Sequence, residues 1–101
     1  MSEMTTEQIF KWENRFLLMK IDNYIGNINK EEIDPKELSD EELEIAKEYL
    51  LYRLEKETPY LLCHAKREAI VMMKAVERRI RRTIGLLERV IDEQRMRRMR
   101  A

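Results

Sequence analysis

The chain is poor in the residues that build loops, covalent cross-links and metal sites. Of its 101 residues, two are glycine, two proline, one cysteine (Cys63) and one histidine (His64). A lone cysteine excludes an intramolecular disulfide, and no CxxC or Cys/His spacing for a closed zinc site occurs. A reducing, cytoplasmic compartment fits that usage. No uninterrupted apolar run approaches the ~20 residues of a membrane span. The polar, partly acidic start Met1–Glu7 lacks the apolar stretch of a secretory signal. Two glycines leave few loops from which to shape a catalytic cleft, and no Gly-rich phosphate loop, GxSxG or HExxH is present. Cys63 and His64 would sit side by side on a helix, where neighbouring residues do not face each other, so they make a poor thiolate–base pair. These absences point to a non-enzymatic protein with no cofactor or metal.

Charge is what the chain has in excess. Charged residues make up 40% of it, against roughly 25% in ordinary soluble domains. The net charge is zero but unevenly divided: residues 1 to 60 hold fifteen carboxylates against eight cations, a net −7, and residues 61 to 101 hold five against twelve, a net +7. Such asymmetry points to partner binding, or to acidic and basic surfaces of the same protein pairing. Hydrophobic residues, at 44%, suffice for one modest core. A core of that size is marginal alone, so a homo-oligomer is expected.

Periodicity near 3.6 runs through the whole chain and defines an all-α fold. The first helix is expected over 6–25, with Thr5 or Thr6 capping it. Phe10, Leu17, Ile21, Tyr24 and Ile28 form one stripe of this helix, and Ile9, Trp12, Phe16 and Met19 a second. The second helix is expected over 40–57. Ser39 and Glu42 form a capping box at its start, and Leu43, Ala46, Leu50 and Leu54 form its buried face. Thr58-Pro59 reads as a cap and first position of a third helix over 59–98, with residues 95 to 101 as a tail open to fraying. Such a helix would be about 60 Å long. It would either bend near His64–Arg67 or at Gly85, or project and pair with another copy through Val76, Ile80, Ile84, Leu87 and Ile91. The expected architecture is a helical hairpin plus this long helix, a bundle completed by oligomerisation.

The densest chemical signal is arginine. Arg78, Arg82 and Arg89 share one helical face, with Gly85 between them, where a missing side chain lets a phosphate backbone come close. DNA or RNA is the expected partner of this face. The competing reading is a solvated or salt-bridged face beside Glu77, Glu88 and Glu93, or one paired with the acidic half. The aromatic residues of a single-strand binder are missing from this stretch. On the acidic helix, Glu41, Glu44 and Glu48 are candidates to meet a protein partner.

Two segments carry a family resemblance. Leu18-Met19-Lys20-Ile21-Asp22-Asn23-Tyr24-Ile25 ends one helix, and Leu38-Ser39-Asp40-Glu41-Glu42-Leu43-Glu44-Ile45-Ala46-Lys47-Glu48-Tyr49-Leu50 opens the next. Together they resemble the helical domain of GINS replication subunits, over residues 10 to 55. That family also has helices before this hairpin and a small β-rich domain, which this sequence does not show. The resemblance implies an accessory role in DNA replication, with Trp12, Phe16 and Met19 as a subunit contact. The alternative is a purely structural, self-assembling bundle with no nucleic-acid role, in which the arginines are occupied by carboxylates.

Overall fold

The computed structural model describes residues 4–28 and 30–100; Met1–Glu3, Asn29 and Ala101 lie outside the described residues. The fold is all-α. Four helices, α1 (Thr6–Ile9), α2 (Arg15–Ile25), α3 (Asp40–Lys66) and α4 (Ile70–Arg100), are joined by two short 3-10 turns at Trp12–Asn14 and Pro35–Glu37. The helices α3 and α4 form a long antiparallel hairpin, and α2 lies across both.

The first expected helix is broken. Thr5 accepts the Gln8 amide and the Gln8 side chain accepts the Thr5 amide, a complete capping box, yet α1 stops after one turn. Lys11 turns extended, and the Asn14 side chain donates to the carbonyls of Gln8 and Ile9 at 3.2 and 3.1 Å, ending α1 from below. The break has a packing reason. It lets Ile9 sink against α3 and sets Phe10 edge-on to Tyr49 and Tyr52, with centroids 5.7 and 5.3 Å away. The helix then resumes in a new direction, with Leu17, Leu18, Ile21 and Ile25 buried.

The second and third expected helices divide elsewhere than at Thr58-Pro59. Pro59 lies inside α3, and the Thr58 hydroxyl donates to the Leu54 carbonyl at 2.7 Å, one turn back. The chain reverses at Arg67–Ala69 instead. Glu68 takes the left-handed conformation (φ 55°), its amide bonding Ala65 and the next amide bonding His64. That is a Schellman ending with glutamate where glycine is usual. The bend expected near His64–Arg67 is therefore a full break, and Gly85 is continuous helix. The tail is helical to Arg100.

Ile21, Leu43, Leu50, Leu86 and Val90 are fully buried where α2, α3 and α4 meet. The stripe expected to pair with another copy is mostly used inside the chain: Val76 and Leu87 are buried, Ile80 and Ile91 half-buried, and only Ile84 is exposed. The long segment does not project as one helix, because it folds back on itself at Glu68. The inner face of α4 is also less apolar than its sequence pattern implies. Thr83 is buried with its hydroxyl on the Arg79 carbonyl, and Glu93 is buried against Arg97.

Two polar networks fix the helices in register. In the first, the Tyr49 hydroxyl donates to Asp22 at 2.6 Å and Arg53 to the same oxygen at 2.7 Å. Arg53 also reaches Glu57, which in turn takes a two-nitrogen contact from Arg79. In the second, Arg97 donates to Glu93 and Asp40, each at 2.8 Å, and to the carbonyls of Pro35 and Lys36. This clasps the end of α4 to the start of α3.

Burial, with the hydrogen bond to Asp22, pushes the Tyr49 phenol up to about 12. The neutral phenol is therefore favoured in the folded state. Its contribution is full below about pH 10, the unfolded value, and is lost as pH rises toward 12. Alkaline denaturant titration of the wild type is expected to show a fall of about 2 kcal/mol across that window. Tyr49→Phe, which cannot ionise, is expected to lack that component.

Candidate nucleic-acid interface

The stripe Arg78, Arg82, Gly85 and Arg89 follows α4 at steps of four, three and four residues, which keeps it on one side of the helix. That side looks toward the C-terminal end of α2. Arg82 donates through Nε to the Tyr24 carbonyl at 2.9 Å, and its guanidinium lies 4.6 Å from the Tyr24 ring centroid. Arg89 approaches the same ring at 5.7 Å. Arg82 thus has a structural task, because a cation at a helix C-terminus satisfies free carbonyls and complements the dipole. A recess of about 390 Å³ opens beside it, lined by Ile25, Gly26, Asn27, Ala75, Arg78, Arg79 and Arg82.

Four of the twelve arginines are ion-paired, and Arg15, Arg67, Arg95, Arg98 and Arg100 are, like the stripe, without an ion pair among the described residues. Arg53, Arg79, Arg81 and Arg97 are ion-paired with Asp22, Glu57, Glu77, Glu93 or Asp40. Arg78, Arg82 and Arg89 form no ion pair among the described residues. At Gly85 an added Cβ would meet nothing within 4 Å, so the backbone there is open to close approach.

The acidic candidates are less available. Glu41 is exposed on the first turn of α3. Glu44 accepts from Lys47 at 2.8 Å and from the Gln94 side chain at 2.9 Å. The Lys47 hydrogen bond, opposed by burial and helped by Gln94, holds its carboxyl below the usual range. Glu48 lies 3.9 Å from the same lysine. Trp12, Phe16 and Met19 stand out from the surface, 75%, 65% and 51% exposed. Arg15 lies over both rings, 4.0 Å from the Trp12 centroid and 4.4 Å from that of Phe16.

Cys63 and His64 are half-buried near the end of α3. No group of three His, Cys, Asp or Glu side chains among the described residues is placed to hold a metal ion. None of the helices is long and apolar enough to cross a membrane, among the described residues. Sequence reasoning missed Tyr24 as the residue that organises Arg82 and Arg89. It read Tyr24 as part of an apolar stripe, and only the packing of α2 against α4 brings 24 and 82 together. Comparison with protein families, curated proteins and solved structures returns no match to this chain.

Proposed function

We propose that the protein is a non-enzymatic helical interaction module that contacts nucleic acid through Arg78, Arg82 and Arg89, as an accessory in a protein–nucleic-acid assembly. The observation that carries this reading is the placement of Arg78, Arg82 and Arg89, none of them ion-paired among the described residues, on one side of α4 with the open backbone of Gly85. Arginines left on one face beside an open glycine backbone suit bidentate contacts to phosphate. The self-assembling bundle, by contrast, needs those side chains occupied. In this reading the exposed Glu41 and the Trp12–Phe16–Met19 ridge are further contact surfaces. DNA replication is the process to which the segments 18–25 and 38–50 point by their resemblance to GINS subunits.

Binding to a labelled DNA measured across a salt series tests this. The triple change of Arg78, Arg82 and Arg89 to alanine is expected to flatten the slope of log affinity against log salt by roughly 2, at about 0.7–0.9 per phosphate contact. Because Arg82 also holds the end of α2, the double change Arg78→Ala/Arg89→Ala is measured beside it. It is expected to keep the wild-type melting temperature and still lose well over half of that slope change. An unaltered affinity and slope in both variants would remove the arginine face as the contact.

A further inference from the structure

The arginine stretch has no aromatic residues of its own, but the fold supplies them from another helix. Tyr24, half-buried against the core, has the Arg82 and Arg89 guanidinium groups 4.6 and 5.7 Å from its ring centroid. Along α2, Lys20 and Phe16 precede it at four-residue steps, and Trp12 stands one turn earlier on the 3-10 turn. Each four-residue step is about 6 Å along a helix, so Phe16 and Tyr24 are spaced by about 12 Å. The two rings nearer the N-terminus are exposed, and their other sides are packed by one guanidinium, that of Arg15. Arg15 adds charge at the same place, with Lys11 and Lys20 exposed on either side.

We infer that the exposed Trp12 and Phe16 rings are a stacking platform for single-stranded nucleic acid, with Arg82 and Arg89 taking the phosphates further along α2, at Tyr24. The inference rests on the proposed nucleic-acid function and narrows it to one form of substrate. Exposed aromatic rings beside a cationic track are the elements by which single strands are held without sequence preference, each base offering a flat face to a ring. Duplex bases are stacked on one another and offer no such face. Charge decides against a second copy meeting this ridge face to face, because Lys11, Arg15 and Lys20 of both copies would be brought together with only Glu13 of each among them to offset the repulsion. The same cations complement a polyanion.

The test uses the full chain, a thymidine oligonucleotide of about 15 nucleotides and a hairpin duplex of matched charge, with Trp12, the only tryptophan, as the reporter. The single strand is expected to quench Trp12 fluorescence and the duplex to leave it unchanged. Trp12→Ala and Phe16→Ala are each expected to weaken single-strand binding roughly 5- to 150-fold, the equivalent of about 1–3 kcal/mol per stacked base, with duplex binding unaltered. Trp12→Phe should restore most of the loss. Equal binding of both forms, with Trp12 fluorescence unmoved and Trp12→Ala without effect, overturns the inference and leaves the arginine face in place. Binding of neither form overturns both. A concentration-dependent shift of Trp12 emission without nucleic acid, matched by dimer formation that Trp12→Ala abolishes, assigns the ridge to self-association and overturns the inference too.

Discussion

Replacing Ile21 with alanine is expected to lower the stability of the protein by about 2–5 kcal/mol, the range for removing a large aliphatic side chain from a closed core. Ile21 is fully buried in the core cluster it shares with Leu43, Leu50, Leu86 and Val90 of the hairpin. Urea unfolding followed by helical circular dichroism measures the loss. Since small proteins have only about 5–15 kcal/mol in total, a substantial unfolded fraction at moderate temperature accompanies the change. A loss below about 1 kcal/mol would mean that α2 is not seated between α3 and α4 in solution.

The second large effect belongs to Arg53. Its guanidinium joins Asp22 of α2 to Glu57 of α3, with side-chain exposures of 19% for Arg53 and 14% for Glu57. Its Nε is buried and, among the described residues, has no hydrogen-bond partner, so the residue already carries a desolvation cost that the two carboxylates offset. Arg53→Ala leaves Glu57 in a poorly solvated position with Arg79 alone to compensate it, and is expected to cost about 3 kcal/mol, the lower end for breaking a buried pair from one side. The same change made in a Glu57→Gln background is expected to cost clearly less, because the stranded charge is gone. Equal losses in the two backgrounds would show that Arg53 acts by its aliphatic packing and not by its charge.

The contrast between what was legible in the sequence and what was not follows particular residues. The Ser39–Glu42 capping box states its own geometry locally, and α3 begins where it says, with both reciprocal bonds formed at 3.0 and 3.1 Å. Leu43, Ala46 and Leu50 were readable for a similar reason: one unbroken stripe on a helix that packs along one side. The break between α1 and α2 was not. No glycine or proline marks it, and its cause lies in Asn14 reaching back to two carbonyls and in Phe10 finding Tyr49 and Tyr52, which are distant in sequence. The reversal at Glu68 was hidden in the same way, because a left-handed glutamate has no sequence signature of its own. Pro59, the loudest local signal, misled in the opposite direction: α3 carries through it.

At the interface, the stripe of Arg78, Arg82 and Arg89 was readable from spacing alone. Which arginines would be neutralised was not, since Arg53 and Arg79 find Asp22 and Glu57 through tertiary contacts 31 and 22 residues apart. The exposure of Trp12, Phe16 and Met19 was likewise invisible to periodicity, which reads any apolar stripe as buried.

The two ends of the hairpin differ in how firmly they are held. Every buried residue of α3 lies between Leu43 and Leu50, and none of α4 precedes Val76. The stretch around Glu68, with Tyr60, Leu62, Ile70, Val71 and Met72 all exposed, therefore lies beyond the reach of α2 and closes over no core. Amide protons measure this directly, because exchange in a native protein proceeds through whichever opening is least costly for each segment. Those of residues 43 to 50 and 83 to 93 should exchange only through global unfolding, and those from about 60 to 73 through fraying of the hairpin end alone. The consequence is a molecule with a slow-exchanging base and a fast-exchanging tip, in which the tip can melt and re-form while the arginine face, anchored by Tyr24 at the base, keeps its shape.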